Sequence, residues 1–258
     1  MIGLKLSLNS TIVSASRLLP ANVKKLELKM RFHCAVMIIL FILQACFFTH
    51  CHRQFTEPND ETGIMTDIDG NVYETVKIGT QVWMAENLKV THYRNGDAIP
   101  DVTDSLIWQI LTIGACCAYD NSEENVPVYG YLYNWYTVND SRNITPAGWH
   151  VPTDAEWETL VDYLGGTASA GGKLKETGED HWNSPNTGAV NEGGFTALPG
   201  GFRSVDGDFY SMGNYAYFWS LSESDDHAWC LALCCDYSRV QRAGYSKLGG
   251  FSVRLVRD

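Results

Sequence analysis

The chain has 258 residues, enough for one or at most two domains, and its 45% hydrophobic and 19% charged content makes it globular rather than disordered. Its formal net charge is −11. Past residue 45, thirteen basic residues face twenty-nine acidic ones, a net of −16, which argues against nucleic acid as a partner because phosphate binding needs a basic surface.

In chain order, residues 1–29 carry no pattern and read as a mis-assigned extension, with Met30 as the true start. Residues 30–46 read as a signal peptide: Arg31 and the lysines before it precede the apolar run Ala35–Leu43, shorter than the roughly 20 residues a membrane span needs. The run ends in Leu43-Gln44-Ala45-Cys46, which resembles a bacterial lipobox in which Cys46 is lipidated, although Gln44 is bulkier than usual there. Residues 47–63 are polar and form a tether, leaving residues 64–258 as the domain. Of the eight cysteines, Cys34 falls in the signal and Cys46 carries the lipid. The remaining six would sit in an oxidising compartment, so one or two bridges between distant segments are expected.

Within the domain, Asp69-Gly70 and Gly79-Thr80 predict turns between short strands. Asp67, Asp69 and Asn71 have the spacing that opens a calcium loop, but no Glu stands at the twelfth position, so a plain hairpin turn is expected. Residues 91–141 read as loops, with the aromatic run Tyr129–Tyr136 filling core. Thr153-Asp154-Ala155-Glu156 is a capping box that opens a helix ended by Gly165-Gly166, with Trp157, Leu160, Val161 and Leu164 on its buried stripe. A second short helix is expected over 170–177, then strands near 217–221, 227–235, 239–245 and 250–256.

Six stretches carry a family likeness. IDGNVYETVKIGTQVWMAENLKV (68–90), YGYLYNWYTV (129–138), PAGWHVPTDAEWETLVDYLGG (146–166), GGKLKETG (171–178), FTALPGGFRSVDGDFY (195–210) and GGFSVRLVRD (249–258) together resemble the Fibrobacter succinogenes major paralogous domain. Members are typically secreted or lipid-anchored bacterial proteins, often of Bacteroidetes-like origin. The family is in turn similar to the C-type-lectin-like and formylglycine-generating (sulfatase-modifying-factor-like) fold. The resemblance therefore implies an α+β domain with few helices, twisted antiparallel strands and long loops. It also implies that the capping-box helix packs beneath the closing Phe251 segment.

Enzymes of that fold bind copper through two cysteines with four residues between them, a spacing that Cys230 and Cys235 share. A strand alternates faces, so an odd offset points the two apart, and the arginine-rich surroundings of the enzymes are missing. Glu57-Pro58-Asn59 and Trp182-Asn183-Ser184 match lectin sugar motifs only in letters. No nucleophile elbow or P-loop is present, and no Cys/His spacing typical of zinc. His92, His150, His181 and His227 read as structural residues, and no cofactor or metal is expected. The expectation is a non-catalytic binding or adhesion domain at the cell envelope, as an outer-membrane lipoprotein or a secreted protein. It would be held to the membrane by its lipid and would contact glycan or protein through exposed aromatics such as Trp108, Tyr119, Trp182 and Tyr210. The alternatives are a copper-dependent thiol oxidase using Cys230 and Cys235, and a structural surface component.

Overall fold

The computed structural model describes residues 62–258, so the signal peptide, Cys46 and the Glu57-Pro58-Asn59 triplet lie outside the described residues. Strand β1 (Thr62–Thr66) turns into β2 (Val72–Ile78) around one side chain. The Asp67 carboxylate accepts from the backbone N–H of Asp69 and Asn71 (3.0 Å each), from Asn71 Nδ2 (2.9 Å) and from the Tyr73 hydroxyl (2.6 Å). This is the hairpin turn expected, closed by Gly70 at φ +83°. A two-residue turn at Gly79-Thr80 then leads to β3 (Gln81–Met84), and a Cβ on Gly79 would meet the Tyr163 ring at 2.8 Å.

After a long loop come two short strands, β4 (Cys116–Cys117) and β5 (Leu132–Tyr133), which pair with each other. Next is β6 (Trp149–His150), followed by the helix Asp154–Tyr163, the longest among the described residues. Thr153 Oγ1 accepts from Glu156 N (3.3 Å), and Glu156 Oε2 accepts from Thr153 N (2.8 Å), so the capping box forms as its spacing predicts. At the far end Gly165 N donates to Asp162 O and Gly166 N to Val161 O, the paired bonds of a glycine C-cap. The second helix covers Ala170–Leu174.

The C-terminal half supplies β7 (Gly200–Arg203), β8 (Phe209–Met212), β9 (Tyr215–Ser224), β10 (His227–Cys234), β11 (Tyr237–Ser246) and β12 (Val256–Arg257). One sheet runs β1-β2-β3-β12-β6 and the other β11-β10-β9-β7-β8, both mostly antiparallel. The architecture is α+β with few, short helices. No described helix is long and apolar enough to cross a membrane.

Strand alternation in β9 and β10 divides the interior into two cores. Tyr217, Trp219, Ala228 and Cys230 face one, which also holds Phe251; Phe218, Leu231 and Leu233 face the other, with Trp157, Leu160 and Val161 of the helix. The helix stripe shares its core with Val256 of the closing segment, while Phe251 itself faces the other core. Phe251 packs on Trp219 (ring centroids 4.2 Å apart), whereas Trp157 packs on Trp83 (4.7 Å) in the other core.

The closing segment also differs from the single strand expected over 250–256. Its backbone bonds change partner at almost every residue: Phe251 pairs with Tyr133, Ser252 with Tyr217 and Trp219, Val253 O accepts from Leu88 N and Leu255 O from Met84 N. It threads between layers, so no one neighbour satisfies it. Arg254, fully buried, completes the seam by donating to Asn87 Oδ1 (2.6 Å) and to the carbonyls of Met84 (3.0 Å), Phe195 (2.7 Å) and Thr196 (3.0 Å). Burial pulls its pKa down to about 9, partly offset by the Glu86 carboxylate, which leaves it charged at neutral pH. Removing it strands four acceptors, each a loss of about 1–3 kcal/mol. Arg254→Met should destabilise the fold by at least about 3 kcal/mol in urea denaturation; a loss below about 1 kcal/mol would show that the seam closes without it.

The C-terminus is tied to the helix start through His150, which bonds Asp258 Oδ1 (2.6 Å) and Glu156 Oε1 (2.7 Å). Burial lowers the His150 pKa, but the two carboxylates outweigh it and hold the imidazole above its usual value. Burial likewise raises Glu156, and its bonds to Thr153 and His150 pull it below the usual range. The histidine's contribution is complete below its unfolded pKa of about 6.5 and fades as pH rises through the folded value; the glutamate's is present above about 4.5 and fades as pH falls. The stability gap between wild type and His150→Gln should thus peak between about pH 4.5 and 6.5 and narrow on the alkaline side. Thermal melts across pH that show a constant gap would contradict this.

Candidate functional site

Three of the four aromatics expected on the surface are buried. Trp108 is 0% exposed, donates Nε1–H to Leu248 O (2.9 Å) and lies under the Arg203 guanidinium. Tyr119 packs on Phe209 with centroids 5.3 Å apart, and its hydroxyl accepts from Met212 N. Trp182 is 1% exposed and donates Nε1–H to Ala197 O (2.9 Å). In each case a segment distant in sequence covers the ring, because burying so large an apolar area outweighs the ordering of the loop. Tyr210 alone is exposed, with its hydroxyl on Asp206 Oδ2 (3.2 Å).

The Cys230–Cys235 pairing also fails geometrically. Cys230 faces the core of Phe251, and Cys235 faces the core of Trp157. The register of β10 shifts at two places, but neither shift brings these two sulfurs to one side. Burial pushes Cys230 and Cys117 up to about 12 and raises Cys116 as well, so these thiols are protonated and poor nucleophiles. Cys116, Cys117, Cys230, Cys234 and Cys235 are all free, so the expected bridges are not found among the described residues.

A different cluster forms at the tip of the β10–β11 hairpin. Neighbouring side chains in a strand diverge, but the register shift between Ala232 and Cys234 and the turn at Cys235-Asp236 swing three donors together. One ligand atom each from Cys234, Cys235 and Asp236 lies within 4.8 Å of the others. Cys234 Sγ is 3.8 Å from Asp236 Oδ2, and Cys235 Sγ is 3.6 Å from both Asp236 Oδ1 and Asn214 Oδ1. Beneath the turn, buried Lys175 donates to the carbonyls of Cys234 (2.9 Å), Thr187 (3.0 Å) and Tyr237 (3.3 Å). Burial pushes Cys235 up to about 11, with Cys234 and Asp236 adding to the effect. Sequence reading missed the cluster because no regular metal spacing announces it; two adjacent cysteines followed by an acid at a hairpin turn were the available signal.

A second feature lies on the loop after residue 100. Asp104 caps a single helical turn, Ser105–Trp108, accepting from Leu106 N (2.8 Å) and Ile107 N (2.9 Å). Trp108 points inward, and this places Leu106 (71% exposed), Ile107 (50%), Ile110 (77%) and Ile113 (58%) outward. The turn at Val205–Gly207 abuts the same segment: Gln109 Nε2 donates to Asp206 O (2.8 Å), and exposed Val205 and Tyr210 extend the apolar surface. Ile113 also borders a shallow hollow of about 290 Å³ lined by Trp135, Tyr136 and Arg142. Helical spacing of the four aliphatics after an Asp was the signal in the sequence.

The expected structural role of the histidines fits three of them, since His92 bonds Asp69 (2.6 Å), His150 bonds two carboxylates and His181 bonds Glu176 (2.9 Å). His227 is exposed at the start of β10.

The model of the Fibrobacter succinogenes major domain matches residues 76–257. The chain belongs to that family. No curated protein and no solved structure matches the chain. The Fibrobacter succinogenes major domain has no assigned activity, so membership fixes relationship and leaves the chemistry to the site. The match begins inside β2 and runs to the end of β12, so it includes the hairpin tip, the exposed aliphatics and both cores apart from Met65 and Tyr73.

Proposed function

We propose that this protein is an exported, lipid-anchored cell-envelope module that binds a protein partner through the ridge of Leu106, Ile107, Ile110 and Ile113. Export and anchoring rest on the signal-like residues 30–46 and the lipobox-like Leu43–Cys46. The observation that carries the binding role is the exposure of four large aliphatics on a segment whose backbone is capped and anchored from below. Large aliphatics held in water so close together along one loop are the kind of apolar surface that marks an interaction site. Aliphatic side chains lack the flat faces and donors that sugars need, which favours protein over glycan; Tyr210 is the one nominated ring still placed to stack on a sugar. The curved sheets, short helices and long loops support a C-type-lectin-like shell, a fold that displays contacts on loops.

Leu106→Ser combined with Ile110→Ser should leave the melting temperature within about 2 °C of wild type, since neither side chain is buried. The same variant should weaken saturable binding to a purified envelope fraction by at least about tenfold. Unchanged binding removes the ridge from this role. Separately, Cys46→Ser should abolish incorporation of a labelled fatty acid and release the protein from the membrane fraction; continued labelling would discard the anchor.

A further inference from the structure

We propose that the β10–β11 tip, formed by Cys234, Cys235 and Asp236 with Asn214, is a binding site for a thiophilic divalent cation of the zinc or cadmium class.

The donor set is two sulfurs, a carboxylate oxygen and an amide oxygen. A tetrahedral zinc site has bonds of about 2.3 Å to sulfur and about 2.0–2.2 Å to oxygen, which makes sulfur–oxygen edges of about 3.5–3.7 Å. Cys235 Sγ lies 3.6 Å from Asp236 Oδ1 and from Asn214 Oδ1, matching those edges, and Cys234 Sγ lies 3.8 Å from the other carboxylate oxygen, Asp236 Oδ2, with one ligand atom from each of the three residues within 4.8 Å of the others. Thiolate ligands select ions of this class over hard cations such as magnesium. The fourth donor is oriented from outside the site: Asn183 Nδ2 donates to Asn214 Oδ1 (3.0 Å), which turns that oxygen toward the thiol.

Charge favours a divalent ion. Two thiolates and one carboxylate carry three negative charges, and Lys175 beneath them carries one positive charge. Its three carbonyl acceptors use all three N–H bonds of an ammonium group. A divalent cation would bring the cluster to neutrality, whereas a monovalent one would leave it negative. Binding changes no oxidation state: each thiol gives its proton to solvent as its metal–sulfur bond forms. Asp236 is exposed and gives the ion its way in, and the backbone N–H of Asp236, 3.4 Å from Cys234 Sγ, points at a sulfur that would carry charge.

The test uses the full chain, reduced and stripped of metal, titrated with Cd²⁺ and followed by sulfur-to-cadmium charge-transfer absorption. Wild type should bind one equivalent more than a Cys234→Ser, Cys235→Ser variant, because the cysteines outside the tip are common to both. Asp236→Asn, at an exposed position where folding is safe, should weaken the tip equivalent by at least about tenfold. Equal stoichiometry in wild type and a folded double variant overturns the proposal. Should the double variant fail to fold, an unchanged affinity in Asp236→Asn overturns it instead.

Discussion

The fold depends on taking cations out of water and surrounding them with carbonyl oxygens. Arg203, Arg254 and Lys175 are fully buried, and each is held by backbone carbonyls rather than by a carboxylate. A domain built from long loops leaves many carbonyls without a ladder partner, and a buried carbonyl without a donor is costly. A guanidinium has five N–H groups in a fixed fork and satisfies several such oxygens from one point. Arg254 joins residue 84, Asn87 and residues 195–196 in this way, and Arg203 joins Val102, Thr103 and Gly207. Aromatic faces complete the cages, with Phe195 4.6 Å from the Arg254 guanidinium and Trp108 4.3 Å from that of Arg203. Three of the basic side chains thus work as internal clips, while others such as Lys89, Arg142 and Lys247 pair with carboxylates at the surface.

How much of this was legible depends on whether the information is local. The Thr153 capping box, the Gly165-Gly166 stop and the Asp67 turn are complete within a few residues, and all three form where their spacing places them. The core role of Tyr133 and Trp135 was legible from their size and density. Where the outcome hinges on which distant segment arrives, local reading fails. Trp108, Tyr119 and Trp182 sit in loop-like sequence, yet each is covered by residues at least 15 positions away, such as Leu248, Phe209 and Ala197. The segment around Phe251 looks like a strand by alternation but alternates between partners on two sides. The clip role of Arg254 is not legible locally, because an arginine in an apolar run has no periodic signature.

The cysteines show the same limit from the opposite direction. Strand parity alone is enough to separate Cys230 from Cys235, and the two cores confirm the separation. Parity equally predicts that Cys234 and Cys235 diverge, and there it fails, because the register shift and the turn intervene within two residues. Irregularity at a hairpin tip is therefore what turns an unremarkable dipeptide into converging donors.

The outward ridge is a consequence of the inward anchor. Arg203 holds the carbonyls of Val102 and Thr103 and stacks on Trp108, while Trp108 Nε1 is tied to Leu248 O. Once that ring is fixed inside, the pitch of a helical turn sends Leu106, Ile107 and Ile110 to the other side. Retracting them would require withdrawing Trp108 and leaving the Leu248 carbonyl and the face of Arg203 without partners, so burial of the tryptophan holds the aliphatics in water. The residue nominated as a surface contact thus contributes to contact indirectly, by presenting its neighbours. Polar substitutions on the ridge and apolar losses beneath it are accordingly separable: the first alter what the surface can bind, and the second alter whether the surface exists.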